Sequence, residues 1–495
     1  MGLVIGYLIL ILFFAILTYI CIYCLLQFQL CWIYKKKYRD PSSADSKEIK
    51  TDLPHITIQL PLYNEMLVVE RLIDKVCEMD YPRDLMEIQI LDDSSDETTQ
   101  LAEKKATLKS REGFDIRVIT RPDRSGFKAG ALDFGLKRAK GEFIAIFDAD
   151  FLPDKQFLKN TLPFFNRPEI GVVQTRWTHI NKNYSLITRL QAFQLNVHFS
   201  IEQSGRSYGG YFLQFNGTAG VWRKTTIEDA GGWSADTLTE DLDLSYRAQL
   251  RGWKIAYREE VESPAELPAD MNAFKTQQYR WMKGGAETAK KLLPAIWKSS
   301  LSMGKKVHAT VHLLGSSIFL LVLLAGILSV PALYYLPLYN INPHYFSVFL
   351  AGLLSLVVVY YIGNRANPFY RGKKGIRDLL TFSGLFVVFL SLSMGMSLHN
   401  SLAVVHGYMG KKSPFVRTPK FNILKAGDSF KRSIYLSEKI PLTTYFEAIL
   451  ALFFAAAVIY GILFDQYSFV IYHLLLAIGF ATISFYSFRH YAWQR

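Results

Sequence analysis

Cysteine is scarce in this chain, with four in 495 residues. No pair or quartet has zinc-ligand spacing, which argues against a structural zinc module and a disulfide scaffold. Cys21 and Cys24 do form a C-x-x-C, but it lies inside an apolar run, where small side chains pack. Charge is missing altogether from Gly2–Trp32. No small-residue cleavage site precedes Lys35, so the run reads as an anchor rather than a removed leader. Acids are also few relative to bases: 43 Asp and Glu against 56 Lys and Arg, a net charge of +13. An aromatic-rich basic stripe and a nucleic-acid fold signature are both absent, which excludes nucleic acid as the expected partner. The bases cluster instead beside apolar runs, at Lys35–Lys37, Lys305-Lys306, Arg371 with Lys373-Lys374, and Lys411-Lys412. That is the pattern of a cytoplasmic membrane rim.

The acids concentrate between residues 34 and 306. Three territories follow: an N-terminal transmembrane helix (1–33), a cytoplasmic domain (34–306), and a C-terminal transmembrane region (307–495) with a basic cytoplasmic loop near 411–432. About 20 apolar residues span a bilayer, and later runs at 308–335, 345–363, 379–400, 441–464 and 467–487 are long enough. The runs holding Gly315-Ser316-Ser317 and Ser391, Ser393 and Gly395 suit helix packing or a polar conduit. Three full crossings after Lys306 would leave the basic stretch 411–432 outside. One of those three segments is therefore expected not to cross fully, and Met396–Tyr408 to continue as an interfacial helix. Tyr184–Arg206, with Leu186, Leu190, Phe193, Val197 and Ile201 at helical spacing, is expected along the membrane interface.

In the middle territory, strand-like segments at His55–Pro61, Glu87–Leu91, Phe114–Thr120 and Glu142–Phe147 alternate with helical ones. Alternation of this kind implies a mostly parallel sheet with helices on both faces. Ligands of such sheets bind beyond the carboxyl ends of the strands. Asp92, Asp93, Asp148 and Asp150 fall at that edge. Asp148 and Asp150 place carboxylates on alternate residues, a donor set for Mg²⁺ or Mn²⁺ against a diphosphate. Loop acids capping the next helix are the plainer account. Asp92-Asp93-Ser94 can bond a nucleobase or ribose, or simply make a turn. Lys128, before Ala129-Gly130-Ala131, can reach a phosphate or sit at the surface. Thr239, Glu240 and Asp241 open a helix, and capping explains all three. The chemical alternative makes Asp241 a general base for an acceptor hydroxyl. Gln277, Arg280 and Trp281 share one helix face, where Arg280 can clamp a diphosphate and Trp281 can stack on a sugar. Each string is weak alone, and it is their order that carries weight.

Assembled, the set Asp93, Asp148/Asp150, Thr239-Glu240-Asp241 and Gln277/Arg280/Trp281 resembles the family 2 processive glycosyltransferases of the cellulose synthase-like group. The mannan and glucomannan synthases and their bacterial relatives are the nearest in pattern. Leu60–Glu65, Lys128–Leu132, Phe215–Thr218, Glu266–Pro268 and Met396–His399 also match. The resemblance implies a GT-A-type domain, an inverting mechanism and a divalent cation. It also implies that Pro61, Tyr63, Glu65 and Asp93 face the nucleoside. Phe415-Val416-Arg417-Thr418-Pro419-Lys420 is similar to a cytosolic gating loop, F-x-V-T-x-K, with altered spacing. No cyclic-dinucleotide-binding domain is expected after the last apolar run, which argues against bacterial cellulose synthase itself.

The expected activity is transfer of a hexose from a nucleotide-diphosphate sugar, of GDP-mannose or UDP-glucose type, to a growing β-linked polysaccharide, coupled to export. Phe215, Asn216, Gly217, Thr218 and Trp281 are expected to hold the acceptor, and Asp241, with Glu240 and Thr239, to carry the catalysis. Single transfer to a lipid acceptor is the competing enzymatic reading. A transporter that only binds nucleotide sugar is a third, and intact Asp241 and Arg280 positions argue against it. The expected setting is a multi-pass protein of a bacterial inner membrane rather than the Golgi.

Overall fold

The computed structural model of the chain describes residues 2–37, 53–365, 375–413, 415–423, 428 and 440–492. Its centre is a seven-stranded sheet: β1 (Ile56–Leu62), β2 (Met86–Asp92), β3 (Asp115–Thr120), β4 (Phe143–Ile146), β5 (Ile170–His179), β6 (Gly220–Arg223) and β7 (Lys254–Ala265). The order across the sheet is β3-β2-β1-β4-β6-β5-β7. Strands β3, β2, β1 and β4 run parallel, as do β5 and β7, while β6 is antiparallel to both of its neighbours. The four strands expected from sequence form the parallel half. Alternation of side chains sends successive residues to opposite faces. Phe143, Ala145 and Phe147 enter one core with Val69, Leu72 and Ala102 of two covering helices. Ile144 and Ile146 enter the other, with Ala129, Ala131 and Leu132.

Register puts the chemistry at one edge. Leu62 pairs with Asp92, and Asp92 with Thr120, so β1, β2 and β3 end level. The Asp93 amide bonds the Leu62 carbonyl at 3.0 Å and fixes the loop beyond β2.

A 28-residue helix, Met271–Lys298, joins this domain to the apolar helices. Asp270 caps it by accepting from the Ala273 amide at 2.8 Å. One face carries Gln277, Arg280 and Trp281; another buries Lys275, whose ammonium bonds Glu447 at 2.6 Å and Ser487 at 3.2 Å on later helices.

Among the described residues, six helices are long and apolar enough to cross a membrane: Val4–Lys37, Met303–Leu338, Tyr345–Arg365, Ile376–Gly395, Leu442–Leu463 and Tyr467–Ala492. Ile376–Gly395 is tethered to the sheet-bearing domain's side at both ends. Asp378 pairs with Arg365 at 3.2 Å, and the neighbouring Asn364 bonds Asn196 at 3.1 Å. At the far end Met396 packs with Met271 and Phe274, and His399 lies 2.9 Å from the Lys275 carbonyl. The following helix, Ser397–Tyr408, lies along Met271–Lys298. Arg371, Lys373, Lys374, Lys425, Lys431 and Arg432 of the basic clusters lie outside the described residues.

The helical segment expected at the membrane interface is Leu186–Val197, opened by a Ser185–Thr188 capping box. A π turn, His198–Glu202, and a short helix, Gln203–Gly209, continue it. It rests against the apolar helices: Phe193 lies 5.4 Å from Tyr360 and 5.5 Å from Phe389, ring to ring. At Gly205 a Cβ would come within 2.7 Å of the Leu30 carbonyl oxygen, so only glycine allows this approach.

Candidate active site

The level strand ends, the loop before β6, the start of helix Glu240–Leu250, one face of Met271–Lys298 and residues 415–420 enclose a single cavity. The nucleoside-type residues occupy the β1–β3 side. Arg121 clamps the Asp93 carboxylate through two nitrogens, Nε at 2.9 Å and Nη2. The Arg124 guanidinium lies 3.2 Å from the Tyr63 ring centroid, so an aromatic face and a planar cation meet there. Glu65 pairs with Arg417 at 2.9 Å.

Asp148 and Asp150 follow β4 and both line the cavity. Each already faces an ammonium: Lys128 lies 2.5 Å from Asp148, and Lys420 2.7 Å from Asp150. Lys128, expected to reach a phosphate, thus bonds Asp148 and the Gly217 carbonyl at 2.9 Å. These carboxylates fit a hard cation in chemistry and placement. Among the described residues no cluster of three or more His, Cys, Asp and Glu could hold one, so a diphosphate would supply the remaining oxygens.

Asp241 sits in the first turn of helix Glu240–Leu250, where Oδ1 accepts from the Leu242 amide at 2.8 Å. Burial, then the neighbouring Glu240, push its carboxyl up to about 7, against the pull of Lys128. Thr239 makes no side-chain cap; its hydroxyl lies 3.1 Å from Thr288 Oγ1 and ties the loop to the long helix. Gly217 has φ 79°, and a Cβ there would stand 2.9 Å from Asp241 Oδ2. Glycine therefore serves twice: it takes the left-handed conformation and leaves room for the carboxylate. Arg280 bonds Thr418 at 3.0 Å with its guanidinium 4.5 Å from the Phe415 ring, beside Gln277 and Trp281 in the lining.

The cavity gathers Pro61, Tyr63, Glu65, Asp93, Lys128, Asp148, Asp150, Asn216, Gly217, Thr239, Glu240, Asp241, Gln277, Arg280 and Trp281. Three expected site residues lie outside the lining. Asp92 is 3% exposed and turns inward, accepting from the Ser94 amide and the Thr99 hydroxyl. Period-2 alternation explains it: of two consecutive aspartates, only one can face the cavity. Phe215 is fully buried, edge-on to Trp222. Thr218 is buried as well, and its hydroxyl accepts from the Asp148 amide at 2.8 Å, holding the metal-type loop from behind.

Sequence reasoning passed over Arg121 and Arg124, although they follow β3 at the same edge. Trp177 and His179, on β5, belong to a strand it did not identify. His179 is 8% exposed, and among the described residues neither ring nitrogen has a hydrogen-bond partner. Burial first, then Arg176, hold this imidazole down to about 3, so it is neutral.

The glycosyl transferase family 2 profile matches residues 57–227, and that of glycosyl transferase family group 2 matches 143–363. Probable glucomannan 4-beta-mannosyltransferase 7 of rice (Oryza sativa subsp. japonica) is 39% identical over 281 residues, 56% of this chain and 48% of that protein. Glucomannan 4-beta-mannosyltransferase 2 of Arabidopsis thaliana is 40% identical over 280 residues, 55% of this chain and 52% of that protein. The chain spans about half the length of these curated relatives. The mannosyltransferase PcManGT from Pyrobaculum calidifontis, solved with GDP-Man and Mn²⁺, shares the fold at a TM-score of 0.54 and 19% identity, over 82% of this chain and 100% of that one. The chain thus carries a glycosyl transferase family 2 match over residues 57–227, on a GT-A-type sheet domain beside apolar helices able to cross a membrane.

Proposed function

We propose that this protein transfers mannose from a GDP-mannose-type donor to the growing end of a β-linked polysaccharide, with inversion, and that transfer is coupled to export. The observation that carries this reading is the position of Asp241. It is buried, it stands beside the Gly217 loop, and it shares one cavity with Asp148, Asp150, Arg280 and Trp281. A carboxyl raised to about 7 suits a general base at neutral pH. Asp241 takes the proton of an acceptor hydroxyl as that oxygen attacks the anomeric carbon. With one base and no nucleophilic carboxylate assigned, a single in-line displacement inverts the centre and gives a β product from an α-linked donor. Arg280 binds the diphosphate, and Trp281 stacks on sugar. Asp148 and Asp150 hold Mg²⁺ or Mn²⁺, which when bound neutralises charge on the leaving group.

The names of the rice and Arabidopsis relatives and the ligands of PcManGT favour mannose over UDP-glucose chemistry. We read the sheet domain and residues 415–423 as cytoplasmic, and Ile376–Gly395 as inserted without crossing, because both its ends meet the catalytic side. Five crossings then leave 411–432 inside. The deciding experiment incubates membrane-reconstituted protein with each nucleotide sugar and Mn²⁺, then sizes the product and determines its linkage. A β-linked polymer from GDP-mannose supports the proposal; a single sugar on an organic-extractable lipid supports the lipid-acceptor alternative instead.

A further inference from the structure

A chain of polar side chains reaches the cavity from the first apolar helix. Gln27, on that helix and 5% exposed, lies beside the Glu202 carboxylate. Glu202 lies 2.8 Å from His198 Nδ1, and His198 Nε2 lies 3.0 Å from the side-chain amide of Asn216. Asn216 is 8% exposed and lines the cavity. His198 and Glu202 bracket the π turn, a distortion that recurs at functional sites. No assigned role uses this relay.

From it we infer that His198 is a positioning residue for the acceptor. Glu202 fixes the imidazole, the imidazole fixes the Asn216 amide, and that amide receives a hydroxyl of the acceptor sugar. The inference rests on the proposed transfer reaction and specifies its acceptor side.

Three observations place Asn216 on that side. It adjoins Gly217, whose Cα hydrogen points toward Asp241: a Cβ there would stand 2.9 Å from Oδ2. A hydroxyl held by Asn216 therefore lies beside the base. The loop leads into β6, on the far side of β4 from β1, β2 and β3, whose ends carry Tyr63, Asp93 and Arg124. The donor's nucleoside and the Asn216 amide thus occupy opposite parts of the cavity. Finally, Val197 and Ile201 pack with Leu30 and Val359 of two apolar helices, so the relay lies where an extending glycan would meet the membrane.

The ring is held as a positioning device requires. A carboxylate on Nδ1 fixes the orientation of an imidazole and the state of its other nitrogen, as outer partners of histidine ligands do. Burial raises the Glu202 carboxyl, but the hydrogen bond and charge of His198 and the charge of Arg206 outweigh it and keep Glu202 ionised. Asn216 Oδ1 is the atom that faces Nε2, so an Nε2–H donates to it and holds the amide in one orientation.

The test uses the full-length protein in nanodiscs, with a short oligosaccharide primer of the polymer it makes. His198→Ala, His198→Gln and Glu202→Gln are compared with wild type for primer KM, kcat, product length and GDP affinity in Mn²⁺ by calorimetry. His198→Ala is expected to raise primer KM about tenfold and to shorten the product, leaving GDP affinity within about twofold. Glu202→Gln is expected to do the same in weaker form, and His198→Gln, which can still bond the amide, to recover most of the loss. Unchanged primer KM and product length in both His198→Ala and Glu202→Gln overturn the inference. So does a parallel fall in GDP affinity, or equal damage from Ala and Gln at position 198. If His198→Ala does not fold, Glu202→Gln decides alone by the same readouts. Wild-type protein that extends no primer with any donor overturns the proposed function instead.

Discussion

Lys420 Nζ lies 2.7 Å from Asp150 Oδ2, across 270 residues of chain. Lys420 also bonds the Glu266 carbonyl at 3.2 Å, and Phe421 takes Glu266 Oε1 through its amide at 2.8 Å. With Phe415 stacked near Phe127 and Arg280, the 415–421 segment is seated in the cavity beside the metal-type carboxylates. On the proposed reading of Asp150 as a metal ligand, a divalent cation and the Lys420 ammonium would compete for one carboxylate. Lys420→Met is expected to tighten Mn²⁺ binding in the absence of nucleotide, read by calorimetry. Weaker or unchanged Mn²⁺ affinity contradicts this.

Asp150→Ala is expected to abolish transfer and Mn²⁺ binding while leaving the thermal unfolding midpoint near that of wild type. Transfer that persists in excess chelator would remove the metal from the reaction.

Asp241→Asn keeps shape and hydrogen bonding but cannot take a proton. Loss of a general base typically costs about 10²–10⁴-fold in rate, so transfer should fall by that order while donor binding survives. The base works only when deprotonated, and its carboxyl is raised to about 7. Wild-type kcat/KM should therefore rise with pH through a limb near 7. Near-normal transfer by Asp241→Asn, or an α-linked product, would refute the assignment.

The Lys275–Glu447 pair is 2% and 0% exposed. Removing one partner of a buried pair strands the other charge and typically costs about 3–5 kcal/mol. Glu447→Leu should lower the unfolding midpoint in detergent, and Lys275→Met with Glu447→Leu should recover most of it. Equal destabilisation by the single and double variants would mean that the pair is not the tie between the long helix and the last two apolar helices.

An impermeant thiol reagent applied outside intact cells should not label Phe421→Cys, yet should label it in inside-out vesicles. Labelling from outside would show that 411–432 lies opposite the proposed side.

The parallel half of the sheet and the acids at its edge were legible because strand periodicity and turn chemistry are local. The half holding β5, β6 and β7 was not. Its β6 has only four residues, and the alternation of β7 is interrupted across Arg258–Glu260, where its register with β5 shifts, so neither carries a sustained period-2 signal. Aspartates 92 and 93 show the limit within one motif: both lie at the strand end, and only the pleat decides that Asp93 faces the cavity while Asp92 braces the loop.

What the sequence determined by itself was the order of the motifs and the apolar segments, and from charge the expectation of an even number of crossings between Lys306 and the 411–432 stretch. Charge and hydropathy act residue by residue, so they can be read without coordinates. The contacts behind the proposed non-crossing of Ile376–Gly395, Arg365 on Asp378 at one end and Met396 with Met271 at the other, exist only in three dimensions. The cavity wall was decided there too. Residues 415–420 and the Glu202–His198–Asn216 relay join elements apart in the chain. Side chains so separated meet only through packing of the long helix and the π turn, and no local pattern records which partner each one finds.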